Sequence, residues 1–154
     1  MQMLQKGDIA PDFNLSNQFG ESVQLSTLLK TNKVLVYFYP KAMTPGCTVQ
    51  ACALRDNQAA FNAQNVSIVG ISTDPVKSLL KFSERDQLNF TLLSDPNHEI
   101  AEGFGVWGEK KFMGKVYDGI HRTSFLIGQD GKIEQVFVSF KTSNHHEVVL
   151  AALN

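Results

Sequence analysis

The chain contains the stretch Val34-Leu35-Val36-Tyr37-Phe38-Tyr39-Pro40, followed by Lys41-Ala42-Met43-Thr44-Pro45-Gly46-Cys47. A run that is apolar at nearly every position indicates a strand covered on both faces, as in a sheet flanked by helices. Threonine followed by proline is a start signal for a helix, with the hydroxyl at the cap position and proline in the first turn. The stretch therefore predicts a central strand that leads directly into a helix beginning at Pro45.

Strands and helices alternate on both sides of this segment. Before it, residues 12–15 and 22–25 alternate polar and apolar side chains and predict an N-terminal β-hairpin, followed by a short helix capped by Ser26. After it, the patterns predict a helix from Pro45 to about Asn62, a strand Val66–Ile71, a helix Pro75–Arg85, a strand Thr91–Leu93, a helix Pro96–Phe104, a hairpin of Thr123–Ile127 and Lys132–Val138, and a last helix Asn144–Leu153 whose Asn144 and Glu147 have capping-box spacing. This order predicts an α/β fold of thioredoxin-like type, with a central mixed β-sheet flanked by helices.

Size and composition limit the classes of function. The 154 residues, 43% hydrophobic and 19% charged, predict a single globular domain over residues 1–154. A net charge of −1 argues against a general nucleic-acid or anionic-membrane binder. The apolar segments are too short for a signal peptide or a membrane span, so we expect a cytoplasmic protein.

Cys47 occupies a reactive position in this pattern. If the helix begins at Pro45, Cys47 is its third residue and lies within the first turn. Amides of a first turn lack acceptors within the helix, and the helix dipole places partial positive charge there. Both effects favour the ionised thiolate, which is the nucleophilic form of cysteine. The alternative, a buried and inert cysteine, is less consistent with the Thr-Pro-Gly-Cys context.

Cys52 follows five residues later on the same predicted helix. On an intact helix that spacing gives a rise of about 7.5 Å, a rotation of about 140° and a Cα separation of roughly 8.7 Å. A disulfide needs a Cα separation of about 4.4–6.8 Å, so the two sulfurs can bond only if the helix unwinds between them. Taken alone, Cys52 also fits a small residue on the inner face of the helix.

Spacing argues against a metal site. The two cysteines point about 140° apart on a helix and lack the usual C-x2–4-C spacing of zinc ligands. His145 and His146 are adjacent, so their side chains diverge, and we expect both to be exposed in the first turn of the last helix. His98 and His121 have no assignable partner and are expected to be ordinary surface or core histidines.

The motif around Cys47 resembles that of a known family. Pro40, Thr44 and Cys47 match the P-x-x-x-T-x-x-C motif of peroxiredoxins, and Cys52, at C-x4-C, is similar to the bacterioferritin comigratory protein, or Q-type, subfamily. The likeness covers nearly the whole chain. It includes Gly7–Phe13, Tyr37–Pro40, Gly70–Asp74, Leu92–Asp95, Phe104–Gly108 and Arg122–Ile127.

The resemblance implies a thioredoxin-like fold and a thiol peroxidase that works without metal, heme or flavin. By the same resemblance, Cys47 is the peroxidatic cysteine and Cys52 the resolving cysteine, which together form an intramolecular disulfide. Thr44, Pro40 and Arg122 match the other active-site positions, although spacing alone would not have singled out Arg122. The implied partners are hydroperoxide substrates and thioredoxin, or a similar dithiol protein, acting on a monomer.

Three other functions remain open on the residues alone. A general disulfide oxidoreductase would favour C-x-x-C, in which two cysteines bridge easily, and would reduce insulin faster than peroxide. A redox-regulated binding protein would use helix unwinding as its switch. A zinc-binding module is disfavoured by the spacing of the cysteines.

Overall fold

A seven-stranded mixed sheet forms the centre of the computed structural model, which describes residues 2–153. In chain order the elements are β1 (Asn14–Asn17), β2 (Ser22–Gln24), α1 (Leu25–Leu28), β3 (Lys33–Phe38), α2 (Pro45–Asp56), α3 (Gln58–Ala63), β4 (Val66–Ser72), α4 (Val76–Arg85), β5 (Thr91–Ser94), α5 (Glu99–Gly103), β6 (Trp107–Phe112), β7 (Lys115–Ile120), β8 (Thr123–Ile127), β9 (Ile133–Phe137) and α6 (His145–Leu153). The sheet order is β2-β1-β5-β4-β3-β8-β9, with β3, β4 and β5 parallel and the other pairings antiparallel. The predicted α/β fold, with its central mixed sheet and N-terminal hairpin, is confirmed.

Strand β3 is buried on both faces because its alternate side chains enter two different cores. Leu35 and Tyr37 pack in a cluster with side chains of α2, α3, α4 and α6. Val34, Val36 and Phe38 pack in a second cluster with side chains of α1 and α5. Each fully buried side chain of this kind contributes about 1.5–3 kcal/mol to folding. The strand is therefore held from both sides up to the point where the chain enters the loop before α2.

Two predicted helices differ in their bounds. The helix predicted from Pro45 to Asn62 is interrupted at Asn57, whose side-chain amide donates to the Ala53 carbonyl at 2.8 Å, so α2 and α3 are separate. The helix predicted from Pro96 begins only at Glu99, because His98 has a left-handed φ of 50°. The Asn57 side chain competes with the backbone for a helical carbonyl, and His98 adopts a conformation outside the helical region. Within residues 2–153, the helices all lack the length and apolar character needed to cross a membrane.

The predicted caps of the first and last helices are wrong. Ser26 lies inside α1, and Asp12 accepts hydrogen bonds from its backbone N–H and its hydroxyl, both at 2.9 Å. The Asn144 side-chain oxygen accepts from the Lys141 backbone N–H at 2.8 Å instead of from the N–H of Glu147. Capping residues recognised by spacing can therefore bond to the preceding loop instead.

The sequence patterns did not predict the β6–β7 hairpin. Its turn, Met113-Gly114, has positive φ at both residues (52° and 78°), as a two-residue type I′ turn requires. Most side chains of β6 and β7 are exposed, so the hairpin lacks the buried face on which a strand prediction depends. This hairpin directly precedes Arg122 in the chain.

His145 is buried, so the prediction that it lies exposed is wrong, and His146 is half-buried. The His145 Nε2 lies 2.7 Å from the Ser124 hydroxyl of β8. Its ring also contacts the rings of Tyr37 and Phe140, with centroid distances of 5.9 and 4.6 Å. Burial, together with smaller contributions from the charges of His146 and Arg122, lowers the pKa of His145 to about 3. The ring is therefore neutral at physiological pH.

Stability should depend on pH through this buried ring. An unfolded chain protonates histidine with a pKa of about 6.5, whereas the folded chain holds His145 neutral down to a pKa of about 3. The free energy of unfolding should therefore fall as the pH drops below about 6.5, by about 2 kcal/mol at pH 5. Urea unfolding midpoints at pH 7 and pH 5 measure this loss. In a His145→Phe variant, the midpoints at pH 7 and pH 5 should differ much less. If they differ as much as in the wild type, other titratable groups cause the pH dependence.

Candidate active site

The site is built where β3 ends and α2 begins. Thr44 is the N-cap of α2, with an extended backbone (φ −75°, ψ 155°), and Pro45 is its first residue. Cys47 is thus the third helical residue, as the sequence predicts. The carboxyl ends of parallel strands are where sites of open α/β sheets gather. This placement brings the sulfur to the start of a twelve-residue helix.

The Thr44 side chain bonds backward along the loop instead of capping the helix. Its hydroxyl donates to the Lys41 carbonyl at 2.8 Å, and it makes no side-chain cap bond to α2. The backbone carbonyl of Thr44 accepts from the Thr48 N–H at 2.9 Å, which closes the first helical turn. The predicted cap position is therefore correct, but the predicted hydroxyl cap is wrong.

Asp74 holds the loop between β3 and α2. Its carboxylate accepts from the Ala42 backbone N–H at 2.8 Å and from the Ser72 hydroxyl at 2.7 Å. Met43, which follows Ala42, has a φ of 65°, a left-handed conformation that costs free energy in a residue other than glycine. The hydrogen bond that Asp74 accepts from the Ala42 N–H helps to retain that conformation, so the loop enters α2 in one arrangement.

The Cys47 sulfur lies against the Arg122 guanidinium. Cys47 is only 1% exposed, and Arg122 Nη2 donates to its Sγ at 3.4 Å. Arg122 directly precedes β8, whose first residue, Thr123, pairs with Phe38 at the end of β3. The antiparallel pairing of β8 with β3 therefore brings together two residues that are 75 positions apart in the sequence.

Gln50 is a second hydrogen-bond partner of the guanidinium, and it was not predicted from the sequence. Its side-chain oxygen accepts from Arg122 Nη1 at 2.5 Å, and the residue is 1% exposed. Gln50 lies one helical turn after Cys47, a spacing that places both side chains on the same face of α2. A Cβ atom on Gly46 would lie 3.5 Å from Arg122 Nη2, so the guanidinium lies close to the helix backbone. Helical spacing was the signal that could have identified Gln50.

A second cation, Lys110 of the β6–β7 hairpin, interacts electrostatically with Arg122 and Cys47. Lys110 Nζ donates to the Ile120 carbonyl at 2.9 Å. Burial lowers the pKa of Lys110, the charge of Arg122 lowers it further, and the interaction with Cys47 opposes both. Arg122 and Lys110 thus both interact with Cys47.

Cys52 is a half-buried thiol on the same helix, and neither it nor Cys47 is in a disulfide. Burial raises the pKa of the Cys52 thiol. Arg55 and Arg85 lower it, whereas the carboxylates of Asp86 and Asp56 raise it. Both cysteines lie in α2, which is continuous from Pro45 to Asp56. Their sulfurs are therefore held apart in this form of the protein.

The other predicted site residues, Pro40 and Thr44, lie on the loop that joins β3 to α2. Pro40 is half-buried in the loop that follows β3. The structure thus brings Cys47 and Arg122 into contact, with Pro40 and Thr44 on the preceding loop and Cys52 further along the helix. In the described part of the chain there is no group of three or more His, Cys, Asp or Glu side chains that could hold a metal ion.

Comparison with known proteins identifies the family. The model of the AhpC/TSA family matches residues 6–136. The Escherichia coli (strain K12) protein named peroxiredoxin Bcp is 63% identical over 150 residues, which are 97% of this chain and 96% of that protein.

Solved structures agree with the sequence match. The crystal structure of peroxidoxin BcpB from Mycobacterium tuberculosis is similar with a TM-score of 0.88 and 41% identity, covering 99% of this chain and 97% of that one. The Xanthomonas campestris bacterioferritin comigratory protein, whose structures concern alkyl peroxide reduction, gives a TM-score of 0.85 and 33% identity, covering 92% and 89%. These neighbours confirm the thioredoxin-like fold. The chain therefore belongs to the AhpC/TSA family, among the bacterioferritin comigratory protein (Q-type) peroxiredoxins, and is a thiol peroxidase.

Proposed function

We propose that the Cys47 thiolate reduces hydrogen peroxide and organic hydroperoxides in a two-step cycle within one chain. In the first step the sulfur attacks the terminal oxygen of the peroxide and the O–O bond breaks. The leaving oxygen departs as water or an alcohol after it takes up a proton, and Cys47 becomes a sulfenic acid. The Xanthomonas campestris relative, whose structures concern alkyl peroxide reduction, supports the inclusion of organic hydroperoxides.

The contact between Arg122 and Cys47 carries the proposal. A guanidinium 3.4 Å from the sulfur stabilises the thiolate before the reaction and can stabilise charge that develops on the peroxide oxygens during it. The bond to Gln50 fixes the direction of the guanidinium, so little reorganisation is needed as the charge moves. Thr44 and Pro40, on the loop before α2, are proposed to shape the approach of the peroxide.

The second step joins Cys47 to Cys52. The Cys52 sulfur attacks the Cys47 sulfur, the S–S bond forms, and the S–OH bond breaks. The hydroxyl leaves as water with the proton of the Cys52 thiol, so no further oxidant is required. Because both residues lie on α2, the turns between them must unwind before the sulfurs meet.

A dithiol protein of the thioredoxin type then regenerates both thiols by disulfide exchange. Resolution within one chain needs no second subunit, so a monomer is sufficient for the proposed cycle. Reduced dithiol proteins are maintained in the cytoplasm, and we place the antioxidant reaction there.

A rapid-quench experiment tests the cycle directly. Reduced protein is mixed with hydrogen peroxide, tert-butyl hydroperoxide or cumene hydroperoxide, and peptide mass analysis follows the state of each cysteine. We expect sulfenic acid at Cys47 first and a disulfide between Cys47 and Cys52 second, with peroxide-dependent consumption of NADPH when thioredoxin and its reductase are added. Absence of rapid oxidation at Cys47 would refute the first step, and absence of the disulfide would refute the second.

A further inference from the structure

The helix that carries both cysteines is tied to the end of helix α4. Arg85, the last residue of α4, donates from Nη2 to the Thr48 hydroxyl at 2.8 Å. Thr48 follows Cys47 directly and belongs to the first turns of α2. The hydrogen bond thus joins the first turns of α2, which contain Cys47, to the end of α4.

The Arg85 side chain is itself held in place. Its Nη2 and Nε lie 2.8 and 3.0 Å from the Asp86 carboxylate, and its guanidinium lies 5.9 Å from the centre of the Phe82 ring. These contacts direct the guanidinium toward α2 and reduce the entropy that is lost when it bonds Thr48. The contact is therefore stronger than expected for a free surface arginine.

Further hydrogen bonds join α2 to the residues that follow α4, and they involve a residue of α2 after Cys52. Arg55 Nη1 donates to the Asp86 carbonyl at 2.5 Å, and the Arg55 carbonyl accepts from the Asn89 side chain at 3.2 Å. Arg55 follows Cys52 in α2, so these bonds can persist when the turns between the cysteines unwind. They anchor the part of α2 that does not need to move.

Unlike Arg55, Thr48 lies between the two cysteines, in the part of α2 that must unwind. The sulfurs can meet only if this segment loses its helical geometry, and the Thr48 hydroxyl then moves away from Arg85. The hydrogen bond from Arg85 stabilises the wound form and is lost in the unwound form. It therefore adds to the free energy of unwinding.

We propose that Arg85 is a positioning residue for the second chemical step: by holding Thr48, it limits the rate at which the Cys47 sulfenic acid reaches Cys52. This inference rests on the proposed disulfide cycle. A wound sulfenic acid remains available to a second peroxide, which oxidises it to a sulfinic acid and is reduced to water or an alcohol. Arg85 thus also affects how much Cys47 is lost to overoxidation.

Removing either partner should speed disulfide formation. In Thr48→Val, we expect the disulfide to form about two- to tenfold faster after sulfenic acid formation, the range for loss of one partly exposed hydrogen bond to a charged group. In Arg85→Ala the gain should be smaller, because the charge of Arg85 also lowers the pKa of the Cys52 thiol. The rate of Cys47 oxidation should stay within about twofold of wild type, because Arg122 and Gln50 are unchanged. The sulfinic acid formed at high peroxide should decrease by a similar factor. Rapid quench followed by peptide mass analysis measures all three quantities.

Two variants serve as controls. Thr48→Ser keeps the hydroxyl and should retain the wild-type rate. Lys81→Ala removes an exposed cation from α4, the helix that carries Arg85, and should also retain that rate. In the double variant Arg85→Ala/Thr48→Val, the disulfide should form no faster than in the faster single variant, because both changes remove one bond.

Several outcomes would overturn the inference. Disulfide formation at the wild-type rate in Thr48→Val would show that the bond does not limit unwinding, even if Arg85→Ala were to fold poorly. Effects that multiply in the double variant would indicate general loosening of the fold. If the wild-type protein forms no disulfide between Cys47 and Cys52, the proposed cycle itself fails, and that result is separate from any effect of Arg85.

Discussion

Replacing Arg122 with alanine is expected to lower the rate constant for oxidation of Cys47 by hydrogen peroxide by about 10²–10³-fold. This is the range found when one fixed donor to a developing negative charge is removed. The guanidinium lies 3.4 Å from the sulfur in a site where Cys47 is 1% exposed, so water cannot readily replace it. Rapid mixing of reduced protein with peroxide isolates this step from the reductant.

Two further variants separate charge from geometry at this position. Arg122→Lys keeps a cation but replaces the two guanidinium nitrogens, which bond Gln50 and Cys47 separately, with a single nitrogen on a flexible chain, so we expect an intermediate rate. Gln50→Ala keeps the guanidinium but removes its second anchor, and should lower the rate less than Arg122→Ala does. A rate for Arg122→Ala within about threefold of wild type, in a protein with a normal urea midpoint, would show that the contact is not catalytic.

Replacing Cys52 with serine is expected to leave oxidation of Cys47 within about twofold of wild type while turnover with thioredoxin falls by at least about 10²-fold. Resolution within the chain benefits from a high effective concentration of the second thiol, and that advantage is lost when an external thiol must react instead. The variant should accumulate sulfenic acid and, in excess peroxide, sulfinic acid at Cys47. Coupled NADPH consumption and mass analysis of Cys47 provide the two measurements.

Cys47→Ser supplies the matched control for that experiment. It retains Cys52 but should show neither sulfenic acid nor turnover, because the proposed nucleophile is gone. Undiminished turnover in Cys52→Ser would mean that the reductant attacks Cys47 directly, and the intramolecular disulfide would then not belong to the cycle.

Local patterns predicted most of the central structure. The apolar run Val34–Tyr39 identified a strand covered on both faces, and Thr44-Pro45 identified the helix start that places Cys47 in the first turn. These predictions succeeded because the apolar pattern of a buried strand and the proline in the first turn of a helix are encoded within a few neighbouring residues, although the Thr44 hydroxyl does not cap the helix. They were sufficient to select Cys47 as the proposed nucleophile, but not to identify the side chains around it.

The contacts that cross the sheet could not be predicted from local patterns. Arg122 reaches Cys47 through the pairing of β8 with β3, and the bond between Ser124 and His145 depends on where α6 packs. Adjacent histidines in a first helical turn give no indication of which ring faces the core. Long-range register and helix packing decide such contacts, and resemblance to a family, not spacing, identified Arg122.

The pairing of β3 with β8 also limits how this protein can change in length. Each added or removed residue in either strand shifts the chain by about 3.3 Å and turns the following side chains to the opposite face. A displacement of that size is as large as the distance of 3.4 Å between the Arg122 guanidinium and the Cys47 sulfur. Insertions and deletions should therefore be tolerated at the Met113-Gly114 turn, which lies outside the main sheet, but not within these two strands.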